Sequence, residues 1–250
     1  MAAEPEGVAV ITGGSRGMGL AVAQALAAKG GWKINLIDIK DEEGKRAADS
    51  LSNTTYHRAN LVNYEEVTAA FKKAFLDGNN RLDFVFANAG VIESSNLYAK
   101  HDSVDAPPPP DLTAVEVNLK SCPAKRTFNL EVGILGFMRS VADYYKHEGI
   151  RVNALCPGAV RTPIVSDQAW KAMPEDVFTP MELISEIVLK LAGGEELVDA
   201  NGERAASDEL YGKAVVANGK NIYIQHDTPY CDDRMARIVE NTRMGKQTAV

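Results

Sequence analysis

Residues 8–30, VAVITGGSRGMGLAVAQALAAKG, join a short apolar run to three spaced glycines and then to an alanine-rich amphipathic segment. Few folds accept that order. Val8, Val10 and Ile11 are β-branched and nearly continuous, the pattern of a strand buried on both faces of a parallel sheet. Gly13 permits a tight turn out of the strand, Gly17 lets backbone approach a pyrophosphate, and Gly19 lets the next helix sit close on the sheet. That helix, with Leu20, Ala23, Leu26 and Ala27 on one face, aims its free N–H groups and positive dipole end at the phosphates. A second apolar strand over 34–39 follows and brings Asp38 to its carboxyl end. In this strand, glycine, helix, strand context the loop reads as the start of a dinucleotide-binding βαβ unit and not as ordinary turn glycines.

Further motifs lie downstream in order. Asn88-Ala89-Gly90 closes a strand over 82–86, Asn118 sits in VNLK, and IRVNALCPGAVRT over 150–162 reads as a strand with a P-G-x-V-x-T turn. With T-G-x-x-x-G-x-G from Thr12 to Gly19, these motifs resemble the short-chain dehydrogenase/reductase family. The resemblance implies one α/β domain over 1–250, a Rossmann-type doubly wound parallel sheet. Its cofactor motifs would lie in 8–162, and a substrate loop, helix, last strand and tail in 163–250. It also implies an oxidoreductase moving a hydride between a nicotinamide cofactor and a hydroxyl or carbonyl carbon of a small molecule. The residues it assigns to the cofactor are Gly13, Ser15, Arg16, Gly17, Met18 and Gly19, then Asn88, Ala89 and Gly90, and finally Pro157, Gly158, Val160 and Thr162. Asn60 and Leu61, at the end of a strand over 55–60, would contact adenine; a polar strand end with no ligand is the alternative. Asp38 stands where such folds hold the adenosine ribose, and a carboxylate there accepts from both hydroxyls and repels a 2′-phosphate. Arg16 pulls toward NADP, since a basic residue there often accompanies it in the family. An Arg16–Asp38 ion pair that leaves the acid in control is expected, which puts NAD ahead of NADP.

The family's catalytic segment is not found. After a helix that starts here at Asp111, a good N-cap, the family has a fifth strand ending at a catalytic serine, then a helix with a tyrosine and a lysine four residues on. Only residues 119–149 separate Asn118 from the next strand, short of the roughly 40 that two average helices, a strand and their loops need. None of the eight tyrosines is followed at that spacing by lysine, and Ser121 is the only serine between Asn118 and the last helix of this region. Counting back from residues 133–149 puts Thr127 at the tyrosine position and Glu131 at the lysine position. Of the catalytic set only Asn118 remains; in the family it holds the water that links the lysine to solvent. The central fifth strand is therefore expected to be lost or replaced. Residues 127–134 alternate at period two, as a replacement strand would, yet Phe128, Val132 and Leu135 also share a helical face, and the helical downstream sequence favours helix. Three functions stay open: the family oxidoreductase, a cofactor-binding protein without redox turnover or with a non-redox step, and a shortened gene product.

The net charge of −7 argues against nucleic acid and anionic membrane as partners and points to a small molecule. Cys122, Cys156 and Cys231 lack metal-ligand spacing, so no metal is expected. No leader pattern precedes Val8 and no window suits a membrane span, which predicts a cytoplasmic protein with reduced thiols. Family oligomers use the two helices that are altered here, which leaves a homo-oligomer open. Helices are expected over 41–53 and over 64–76, the second with Val67, Phe71, Ala74 and Phe75 inward. Residues 93–111, with prolines at 107–110, either border a pocket or make a surface excursion. Trp170, Met173 and Phe178, within 163–178, either line an apolar pocket or pack in the core. After Thr179-Pro180 a helix over 181–191 packs Leu183, Ile184, Ile187, Val188 and Leu191. Segments 214–216 and 221–225 flank the turn Asn218-Gly219, and a charged helix with a disordered end follows Asp232.

Overall fold

The computed structural model describes residues 6–92, 113, 116–120 and 130–242. They form two compact units, one drawn from Met1–Leu130 with Arg161–Met173, the other from Glu131–Val160 with Pro174–Val250.

In the first unit β1 (Gly7–Thr12) leads into helix α1 (Gly17–Lys29), then β2 (Trp32–Asp38), α2 (Asp41–Asp49), β3 (Thr54–Arg58), α3 (Tyr64–Asp77) and β4 (Phe84–Ala87). The four strands are parallel in the order β3-β2-β1-β4, with Ile11 opposite Leu36 and Phe86, and Asp38 opposite Arg58. Every residue of β1 is buried, as the apolar run from Val8 to Ile11 requires, and Thr12 at its end is buried with its hydroxyl hydrogen-bonded. On one face Val10, Ile37 and Ala59 pack with Ala70 and Ala74, and Leu61, Phe71 and Leu82 close over them. Each fully buried Leu or Ile contributes about 1.5–3 kcal/mol. Helix α2 carries Asp41, Glu42 and Glu43 in its first turn, where the dipole favours acids, and Lys45 reaches back to Asp41 at 2.7 Å. Helix α3 is started by Asn63, whose Oδ1 accepts the N–H groups of Glu65 and Glu66.

Two expectations are corrected in these helices. Phe75 is exposed, and small Ala70 lies inward beside Ala74 against Val10, Ile37 and Ala59, with Phe71 the ring of α3 that closes over them. In α1 the buried residues are Gly19, Val22, Ala23 and Leu26, while Leu20 and Ala27 sit at the margin of the stripe. Helix α2 also ends at Asp49, short of the expected residue 53.

The second unit holds α4 (Leu130–Tyr145), β5 (Ala154–Pro157), α5 (Met181–Gly193), the short pair β6 (Leu197–Val198) and β7 (Arg204–Ala205), β8 (Ala214–Asn218), β9 (Asn221–Gln225) and α6 (Asp233–Thr242). Its main sheet runs β5-β8-β9, parallel then antiparallel, and β8 and β9 form the expected hairpin around Asn218-Gly219. Ile184, Ile187 and Val188 of α5 are buried as expected, with Ser185 beside them. Asp199 ties this unit together, since its carboxylate accepts N–H groups from Asn201, Glu203 and, across to β9, Ile224.

Among the described residues β4 pairs only with β1 and β5 only with β8. Burial reflects this: β4 alternates half-buried and exposed residues, and Val85 is 43% exposed. Residues 130–134 are helical, as favoured; Thr127, Phe128 and Asn129 lie outside the described residues. So do Ser121, Cys122, Pro123, the loop 93–111, the expected N-cap Asp111 and the tail beyond 242. Glu116–Lys120 form a short π-type turn that carries Asn118.

Candidate nucleotide site

The three glycines have three distinct reasons to be glycine. Gly13, at φ +65°, donates to the Ile37 carbonyl at 2.8 Å, and a Cβ there would lie 2.8 Å from the Ala89 backbone. Gly19 brings α1 down onto this turn, where a Cβ would meet the Gly13 carbonyl oxygen at 2.3 Å. Gly17, at φ +56°, has more room, and its nearest neighbour is the Thr162 side chain at 3.4 Å. The backbone at Gly13 is pinned from β4's end: Asn88 Nδ2 donates to the Thr12 and Gly13 carbonyls, and Thr12 Oγ1 accepts the N–H groups of Asn88 and Ala89. Thr-Gly and Asn-Ala-Gly are thus two halves of one clamp, a link the spacing alone did not disclose.

Asp38 ends β2 beside this loop. Its Oδ2 accepts from the Ser15 N–H at 3.2 Å and from the Ser15 hydroxyl, and its Oδ1 accepts from the Lys40 N–H at 3.1 Å. The expected ion pair with Arg16 is not formed. Arg16 instead lies 3.9 Å from Glu43 in the first turn of α2, because Ser15 already occupies the near oxygen of Asp38. Met18 is half-buried in the first turn of α1. Asn60 donates its N–H to Glu66 at 2.9 Å and accepts the Val62 N–H on Oδ1, while Leu61 packs against the Val10 and Ile37 cluster.

Asn118 is bound to Val91 in both directions, Oδ1 accepting its N–H and Nδ2 donating to its carbonyl, each at 2.9 Å. It lies beside Gly90, where a Cβ would come within 3.2 Å of Oδ1. Thr162 is in the first unit, and its carbonyl accepts from the Trp170 indole at 3.0 Å. Met173, also in this unit, is exposed. Pro157, Gly158 and Val160 fall in the second unit, where Gly158 donates to the Ala217 carbonyl at 2.7 Å; Phe178 bridges to Ala159 there. The structure therefore brings together Gly13, Ser15, Gly17, Gly19, Asp38, Asn88, Ala89 and Thr162.

Sequence reasoning missed Tyr56 and Gly44. The Tyr56 hydroxyl donates to the Asp38 carbonyl at 3.0 Å, and its ring fills the space beside Gly44 of α2. A glycine inside a helical pattern was the available signal.

A parallel sheet of order β3-β2-β1-β4, a glycine turn between β1 and α1, and an acid closing β2 define a Rossmann-type dinucleotide fold. The short chain dehydrogenase family profile matches residues 7–121. Short-chain dehydrogenase/reductase prx7 of Penicillium rubens is 35% identical, with 92% of this chain and 98% of the relative covered. The alignment runs over 276 positions, longer than this chain, so part of it faces gaps here. A second protein of that organism, short-chain dehydrogenase/reductase prx6, is 29% identical over 67% of this chain and 70% of its own. Among solved structures, the 3-ketoacyl-(acyl-carrier-protein) reductase of Brucella melitensis complexed with NADH shares the fold at TM-score 0.64 and 19% identity, covering 87% of this chain and 98% of that one. The chain belongs to the short-chain dehydrogenase/reductase family. Among the described residues no helix is long and apolar enough to cross a membrane.

Proposed function

We propose that this chain holds a nicotinamide dinucleotide, NAD ahead of NADP, on the glycine loop and Asp38, and that it does so without the turnover of an ordinary dehydrogenase. The observation that carries the reading is the placement of Asp38 at the end of β2, with its carboxylate fixed by Ser15 and Lys40 beside Gly13 and Gly17. The residues fit the group. The first turn of α1 offers free backbone N–H groups and the positive end of the helix dipole. Asp38 accepts from ribose hydroxyls and repels a 2′-phosphate, and Arg16 is turned toward Glu43 instead of standing free for a phosphate. The Brucella reductase of the same fold is complexed with NADH, which supports a nicotinamide dinucleotide without choosing between NAD and NADP. With a net charge of −7, we read the partners as small molecules and not nucleic acid.

When bound, the cofactor supplies or takes up a hydride at its nicotinamide ring. The chain's own part in that chemistry needs a proton donor with a lowered pKa and an oriented hydroxyl, which the family finds in its tyrosine, lysine and serine. This sequence has no Tyr-x-x-x-Lys, and the shortness of residues 119–149 supports loss of that segment. General acid/base catalysis is worth about 10²- to 10⁴-fold and an oxyanion donor on the order of 10²- to 10³-fold. Without them orientation is the main remaining contribution. The test is purified full-length chain with each nucleotide and a panel of secondary alcohols and ketones, followed at 340 nm, with thermal shift as the binding control. We expect NADH to raise the melting temperature and the absorbance to stay at background. Turnover of about 1 to 10³ per second would overturn the redox-silent part of the reading.

A further inference from the structure

The residue on which nucleotide choice depends is tied down from the strand behind it. The Asp38 carbonyl accepts two hydrogen bonds, one from the Ala59 N–H at 3.0 Å and one from the Tyr56 hydroxyl at 3.0 Å. The orientation of that carbonyl is the ψ angle of Asp38, and ψ decides where the chain goes next. Two residues on, the Lys40 N–H closes on Asp38 Oδ1 at 3.1 Å. Between them Ile39 is 49% exposed, so core packing does not hold this turn. The clamp on the carbonyl and the clamp on the carboxylate are thus coupled through one backbone angle.

Tyr56 reaches this position through a gap in α2. At Gly44 a Cβ would lie 2.1 Å from the Tyr56 ring. Gly44 is not in the left-handed region, so the backbone does not demand glycine there. The ring does. Burial, reinforced by the charges of Asp41 and Asp38, pushes the Tyr56 phenol up to about 12, which keeps the hydroxyl protonated and a donor throughout the working pH range.

Resting on the cofactor reading above, we propose that Tyr56, seated on Gly44, is a positioning residue for nucleotide choice: it fixes the end of β2 so that Asp38 accepts a 2′-hydroxyl and opposes a 2′-phosphate. Charge repulsion of this kind depends on a held distance, and a carboxylate free to turn away gives it up at little cost.

The test is titration of NADH and NADPH into the full chain and into Tyr56→Phe, Gly44→Ala and, as control, Tyr64→Phe, whose ring is 81% exposed. Tyr56→Phe keeps the ring on Gly44 and removes only the donor. The ratio of Kd for NADPH to Kd for NADH is expected to fall about three- to tenfold, the range of one net hydrogen bond. Gly44→Ala displaces the ring with its hydroxyl intact and is expected to lower the ratio in the same direction, while Tyr64→Phe leaves it unchanged. Either Tyr56→Phe or Gly44→Ala, shown folded by circular dichroism, decides the matter alone. An unchanged ratio, even with a lower melting temperature, overturns the assignment and leaves the cofactor reading standing. A wild-type chain that binds neither nucleotide, or both equally, overturns the cofactor reading and this assignment with it.

Discussion

Gly17 and Gly19 stand two residues apart and answer to different demands. A Cβ at Gly19 would overlap the Gly13 carbonyl at 2.3 Å, which is backbone and cannot swing away. At Gly17 a Cβ meets the Thr162 side chain at 3.4 Å and Pro163 at 3.9 Å, ordinary contacts, and the cost is the left-handed φ of +56°, about 1–2 kcal/mol for a residue with a side chain. Gly17→Ala is therefore expected to fold with a modestly lower melting temperature and to lose NADH affinity at least tenfold. Gly19→Ala is expected to lower the melting temperature further, because α1 has to lift from the turn. Melting curves paired with NADH titrations check both, and a Gly17→Ala protein with undiminished affinity would show that this glycine serves the turn alone. The close approach at Gly19 was legible in the sequence because spacing fixes it. The Arg16–Asp38 pair was not, because the Ser15 hydroxyl and the first-turn Glu43 compete for those groups, and neither contact follows from periodicity.

Strands β2 and β3 are joined inside the sheet by a polar pair. His57 Nε2 lies 2.9 Å from Asn35 Oδ1, and Asn35 Nδ2 donates to the Ala9 carbonyl at 3.2 Å, so three strands share one network. With the amide nitrogen donating to Ala9, Asn35 Oδ1 is the acceptor, and His57 carries its proton on Nε2. Burial, with Lys73 adding to it, lowers the pKa of His57 below its ordinary 6.5. Between that lowered value and 6.5 the unfolded chain binds more protons than the folded one. The stability supplied by the neutral ring is full above about pH 6.5 and is lost as pH falls through it. Urea melts at pH 7.5 and 5.5 are expected to show lower stability at 5.5, with a smaller difference in His57→Gln. A difference of equal size in that variant would assign the pH dependence to other groups. At this scale the sequence located most elements because apolar runs and caps mark them. It misplaced Phe75 because α3 packs through Ala70, Phe71 and Ala74, and a period of 3.6 does not say where the edge of the buried stripe falls.

At the scale of the whole chain, the described residues hold one parallel sheet of order β3-β2-β1-β4 and a second sheet of order β5-β8-β9. The first was legible in the sequence because its apolar runs and glycine turn follow in order; the expectation of a lost fifth strand, drawn from the shortness of residues 119–149, falls in part on residues outside those described. The sequence carries the glycine loop and no Tyr-x-x-x-Lys, so binding and turnover are separate questions, of which binding comes first. The most direct test is calorimetric titration of the purified full-length chain with NADH and, in parallel, NADPH. Saturable binding at one site per chain, tighter for NADH, is the result predicted from the loop and Asp38. An absence of binding heat, or tighter binding of NADPH, would contradict the account.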